Sequence, residues 1–118
     1  MALPGQVFQI HPSMGVGPWM HPGQQHRALV ISNHTYHADG SIVVVPMTGS
    51  APSPRLASHV EMKGNNGGLS APMWILCEYV IAVHRDTFKG LSAIASFAGN
   101  SPEMGEVRRC LAQMFRII

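Results

Sequence analysis

The chain has 118 residues, 46% apolar and only 12% charged, with a net charge of +2. That size suits one hydrophobic core, so a single domain over residues 1–118 is expected, and the composition excludes wholesale disorder. The eight Lys and Arg form no basic tail or stripe, so any nucleic-acid contact must come from a local cluster rather than the overall field.

In chain order, "QVFQI" reads as a first strand, bounded by Gly5 and Pro12. The opening "MALPGQVFQI" shows neither a basic start nor the apolar run of a secretory leader, which points to a cytoplasmic protein. Residues 12–26, "PSMGVGPWMHPGQQH", carry three Pro and three Gly and read as a long loop, with Trp19 and Met20 packing on something. "RALVIS" and "SIVVVPM" follow as two buried strands, joined through "NHTYHADG", whose Asp-Gly ending is a turn signal. "GSAPSPR" is a loop, "ASHVEM" holds a further strand, and "KGNNGGLSAP" is a connector.

"MWILCEYVIAV" reads as one long bent strand or two short ones meeting near Glu78. Glu78 interrupts it, and it falls short of the roughly 20 residues of a membrane span, so no membrane partner is expected. Cys77 and Cys110 sit in apolar segments and read as small buried residues. The stretch from Arg85 to Phe97 suggests one helical turn and a short strand. The C-terminal segment is a helix: Ser101 suits the N-cap, Pro102 the first turn and Glu103 the positive end of the dipole. Met104, Val107, Leu111, Met114, Phe115 and Ile118 then form one apolar stripe, expected to pack on the sheet. Five to seven short strands and a terminal helix suggest a mainly β fold, a small, strongly bent sheet or barrel.

For chemistry, His34 and His37 with Asp39 are the best metal candidates. They lie in a turn without HExxH or bracketing cysteines, so no metal and no cofactor are expected. No G-x-S-x-G marks a serine nucleophile, and "GVGPWMHPG" lacks the ending of a phosphate loop. "HPGQQHRALVIS" is more informative. Arg27 opens a buried strand, where its planar fork suits a phosphate, and His21 and His26 beside it can move protons near neutral pH. Such a set is competent for RNA cleavage through attack of the ribose 2′-oxygen on the neighbouring phosphorus.

The order "GQVF" (5–8), "HPSMG" (11–15), "QQHRALVIS" (24–32), "VVVPMTGS" (43–50) and "LCEYV" (76–80), closed by a helix, resembles the MazF/PemK/Kid family of toxin endoribonucleases. The resemblance implies an SH3-like small barrel of the CcdB/MazF/Kid type with an appended helix. It also implies a homodimer, a cognate antitoxin, and metal-independent, sequence-specific cleavage of single-stranded mRNA. By the same resemblance, Arg27 would contact the scissile phosphate and either steady the phosphorane or deliver a proton. Thr48 would orient a phosphate oxygen, and Glu78 or His21 would act as base. Gln24, Gln25, His26, Ser50 and Arg55 would bind RNA. The chain departs from the family pattern at Pro22, where a glutamate is usual, at Ala28, where a proline is usual, and at Leu76, where the Kid branch has a catalytic arginine. Arg85 is a possible substitute cation for that last position. Two other readings follow from the same scaffold. One is a CcdB-like inhibitor of DNA gyrase acting through Phe115, and the other is a binding module without catalysis.

Overall fold

The computed structural model describes residues 2–10, 26–32, 40–62, 67–69 and 72–115. Seven strands and one helix follow in order: β1 (Gln6–Ile10), β2 (His26–Val30), β3 (Ser41–Thr48), β4 (His59–Met62), β5 (Met73–Leu76), β6 (Ile81–His84), β7 (Ala95–Ser96) and α1 (Pro102–Met114). All seven strands lie in one antiparallel sheet of order β4-β5-β3-β2-β1-β7, with β6 also on β3. The result is a mainly β, curled half-barrel with a C-terminal helix, as the sequence suggests.

The eight-residue β3 organises the sheet. One edge pairs β2 from Val44 to Met47, whereas the other is shared: Ser41–Val44 pair β6, and Met47 and Thr48 pair β5. Pro46 explains how the strand tolerates an imino acid. The Val43 N–H donates to Ser32 Oγ and its carbonyl accepts from Ile31 N–H, so Val43 faces β2. By alternation Pro46 faces the shared edge, in the gap between the two partner strands, where no N–H is needed.

"MWILCEYVIAV" is therefore two strands, interrupted by the 3-10 turn Cys77–Tyr79. A second 3-10 turn, Arg85–Phe88, and the short β7 fill the stretch read from sequence as a helical turn and a strand.

The sheet is buried on both sides. On one side Val7, Leu29, Val45, Met47, Val60 and Ile75 pack with Met104, Val107 and Cys110 of α1. On the other, Phe8, Ile10, Ala28, Val30, Ile42 and Val44 pack with Val83 and Phe88; Phe8 and Phe88 meet edge-on at 5.0 Å between ring centroids. Burial of such side chains contributes roughly 1.5–3 kcal/mol each before the entropy of ordering them is set against it. Gly5, at φ 90°, is required where β1 begins: a Cβ there would stand 2.1 Å from the Phe97 carbonyl oxygen.

The helix starts as expected, with Ser101 Oγ accepting from Met104 N–H. Its apolar stripe is shorter than the periodicity implies. Met104, Val107 and Cys110 are buried and Leu111 packs against them, but Met114 is 36% and Phe115 60% exposed. The reason is geometric: α1 rests mainly on β4 and the Cys77–Tyr79 turn, and the residues that pack into the core stop at Leu111. Ile118 lies outside the described residues. Among the described residues no helix is long and apolar enough to cross a membrane.

Candidate active site at the rim of the sheet

Arg27 is the second residue of β2, flanked by Gln9 of β1 and Met47 of β3. Alternation puts it on the helix side of the sheet with Leu29. There its guanidinium is half-buried, with Nη1 3.0 Å from Met73 Sδ. A thioether is a weak acceptor, and a guanidinium carries five N–H donors. Among the described residues no carboxylate pairs with Arg27. A cation held this way by backbone and packing retains its capacity for an anion.

Thr48 closes β3 one residue beyond Met47, opposite Trp74. Its hydroxyl oxygen accepts from Ser50 N–H at 3.3 Å, shaping the Gly49–Ser50 turn. Alternation sends its side chain to the face away from α1, the opposite face from Arg27. Ser50 and Arg55 are exposed in the loop that follows, and His26 is half-buried opposite Ile10. His21, Gln24 and Gln25 lie outside the described residues, as do His34, His37 and Asp39. Among the described residues, no three His, Cys, Asp or Glu side chains are grouped as metal ligands.

Glu78 sits in the 3-10 turn after β5, where leaving the strand swings its side chain out of the ladder. Ser58 Oγ donates to its Oε1 at 3.1 Å, and His59 Nε2 is 2.6 Å from its Oε2. The His59 side chain is 5% exposed and that of Glu78 is 24% exposed, so the carboxylate is reachable and the imidazole is not. Leu56 N–H donates to His59 Nδ1 at 3.0 Å, which leaves the ring proton on Nε2, aimed at Glu78. The turn is tied to the segment before β4, where Cys77 N–H donates to Ser58 O at 3.1 Å, and that segment is tied to α1, where Cys110 Sγ donates to Ala57 O at 3.3 Å.

These residues share the end of the sheet at which β2 begins and β3 finishes, but they do not touch. Arg27 and Ile75 flank Met47 in one row, so their backbones stand roughly 10 Å apart at the usual strand spacing. Glu78 lies three residues beyond Ile75, and its hydrogen bonds among the described residues go to Ser58 and His59, not to Arg27 or Thr48. The cation is on one side of the sheet's rim, with the hydroxyl on the other and the carboxylate beyond β5.

Leu76 is half-buried on β5, opposite His59. Arg85 does not replace a cation there. It follows His84, which pairs Ser41 at the far end of β3, about 23 Å from Thr48 along the strand. Sequence reasoning missed Ser58 and His59. Their only signal was a polar pair at the start of "SHVEM", and their register against Leu76 belongs to the fold.

The chain matches the family described as PemK-like, MazF-like toxin of type II toxin-antitoxin system over residues 5–115. It belongs to the PemK/MazF toxin family. Among solved structures, the PemK/MazF fold seen here is similar to a MazE–MazF complex from Deinococcus radiodurans. That match has a TM-score of 0.70 and 17% identity, covering 99% of this chain and 97% of the other. It is also similar to an endoribonuclease in complex with its cognate antitoxin from a mycobacterial species, with a TM-score of 0.69, 17% identity and full coverage of both chains. The Mycobacterium tuberculosis toxin MazF-mt6 matches with a TM-score of 0.61 and 13% identity, over 92% of this chain and 94% of that one. No curated protein sequence matches the chain at a significant level. At these identities the PemK/MazF likeness in structure is a likeness of fold.

Proposed function

We propose that this PemK/MazF chain is an endoribonuclease that cleaves single-stranded RNA without a metal ion, by attack of a ribose 2′-oxygen on the adjacent phosphorus. The observation that carries this reading is Arg27: a half-buried guanidinium at the rim of the sheet, with a thioether as its described hydrogen-bond partner. RNA crossing the rim meets it at the scissile phosphate. The carboxylate of Glu78, or the imidazole of His21, takes the 2′-hydroxyl proton as the new O–P bond forms. Arg27 steadies the charge on the phosphorane, and the P–O5′ bond breaks as the leaving oxygen takes up a proton from solvent. Thr48 keeps its own hydroxyl proton to donate, because its oxygen is the acceptor from Ser50. Gln24, Gln25, His26, Ser50 and Arg55 hold flanking nucleotides. The active form is a homodimer in the cytoplasm, and its regulator is an antitoxin protein, as the partner-bound MazF and mycobacterial structures suggest.

The test is incubation of purified protein with defined single-stranded RNA in EDTA, followed by end-mapping. Cleavage leaving cyclic phosphate ends is expected, and its absence on every sequence tried removes the reading. One observation favours a second reading: Phe115, 60% exposed at the helix end, suits capture of a protein target such as gyrase. Stalled gyrase complexes that disappear on Phe115→Ala would support it.

A further inference from the structure

We infer that His59 is a positioning residue for Glu78, and that the imidazole fixes the carboxylate as the base of RNA cleavage. The inference rests on the ribonuclease reading and extends it to a residue that has no contact with substrate.

Four observations combine. His59 is the one buried polar or charged residue among those described, a costly place for an imidazole that does nothing. Both ring nitrogens are engaged, Nδ1 by Leu56 N–H and Nε2 by Glu78 Oε2 at 2.6 Å. The Leu56 contact selects the tautomer whose proton points at the carboxylate, so His59 donates and Glu78 accepts. Ser58 supplies a second donor to the other oxygen. The carboxylate is thus held at both oxygens, from one side, by two consecutive residues entering β4. Each carboxylate oxygen can accept more than one hydrogen bond, so capacity remains on the 24% exposed side for a substrate hydroxyl. Local backbone ties make the support rigid: β4 begins with His59 opposite Leu76, and Cys77 N–H bonds back to Ser58 O. Histidine with a fixed proton beneath a carboxylate resembles the orienting third group of a nucleophile–base pair, here inverted so that the carboxylate is the reacting member.

The titratable groups that the structure places around the pair are thiols: Cys77, next to Glu78 and interacting with it electrostatically, and through Cys77 the Cys110 thiol of α1, which donates to Ala57 O.

The experiment compares His59→Leu, His59→Gln, Glu78→Gln and the His59→Leu/Glu78→Gln pair in the full chain. It measures steady-state RNA cleavage across pH, with thermal melting of each variant. His59→Leu is expected to lower kcat tenfold or more, leave KM within about twofold and change the pH profile of kcat. His59→Gln, whose amide nitrogen reproduces the Nε2 donor, is expected to recover most of the rate. In the Glu78→Gln background, His59→Leu is expected to cost nothing further. Unchanged kcat and pH profile for a folded His59→Leu would overturn the inference. Equal losses for Leu and Gln tracking a lowered melting temperature would assign His59 to stability alone and overturn it too. These failures are read in an active wild type. A wild type that cuts no RNA fails earlier, at the ribonuclease reading, and takes the inference with it.

Discussion

Arg27 and Cys77 are both constrained by the same core and respond oppositely. The arginine reaches the rim and keeps donors for an anion, so Arg27→Ala is expected to reduce kcat on RNA by about 100- to 1,000-fold, the usual cost of losing one charge-stabilising donor. A folded variant with wild-type cleavage would remove Arg27 from the mechanism. Cys77, by contrast, is sealed. Burial first, then Cys110 and Glu78, push its thiol from 9.0 up to about 12. The folded chain keeps that proton while the unfolded chain loses it from about pH 9, so stability falls as pH rises from about 9 toward 12. The decline is up to about 1.4 kcal/mol per pH unit for this group. Urea melts between pH 8 and 10.5 are expected to show it, and Cys77→Ala to remove that part of the slope. The same protonation makes the folded thiol slow toward alkylating reagents. Both cysteines were legible as buried from their apolar flanks; the neighbouring acid that helps to raise Cys77 was legible only as the next letter.

Among the elements, α1 shows where local signals suffice and where they stop. Ser101, Pro102 and Glu103 define its start chemically, and the cap hydrogen bond is present at 3.2 Å. Ser101→Ala is expected to destabilise the chain by about 1 kcal/mol in urea denaturation. At the other end the apolar letters continue, but the surface under them does not. Met114 and Phe115 are solvent-facing because periodicity records which side of a helix is apolar, not how far its support extends. Phe115→Ala should therefore change stability by less than about 0.5 kcal/mol. Gly5 gives the opposite case. The Phe97 carbonyl against its Cα comes from a residue far along the chain, and Gly5→Ala is expected to cost more than about 2 kcal/mol, through both the clash and the left-handed φ.

At the scale of the molecule, β2 and β3 give side chains to both apolar clusters: Leu29 and Val45 to one, Ala28, Val30 and Val44 to the other. Neither cluster can melt while the other keeps its strands. Circular dichroism and tryptophan fluorescence should therefore report one coincident urea transition, and Leu29→Ala and Val30→Ala should move it without splitting it. Two separated transitions would show the clusters to be independent. The strands themselves were legible because β-branched runs such as "SIVVV" have few other uses in a short chain. The candidate site was half legible. Arg27 and Thr48 sit at strand ends that any reading of "HRALV" and "VVVPMT" locates. The support of Glu78 was not, because a hydrogen bond across 19 residues of separation is created by strand pairing and leaves no local pattern.

The divided border of β3 has one more effect. Ile75 and Ile81 are each docked to that strand independently, one opposite Met47 and one opposite Val44, so the five residues between them form a span of fixed count. An inserted or deleted residue there has two outlets. It is absorbed in the span, lifting Glu78 off Ser58 and His59, or it slips β6 by one place and turns Val83 out to water. The segment thus measures out the position of the acid by its number of residues, and it tolerates a change of letter far better than a change of length.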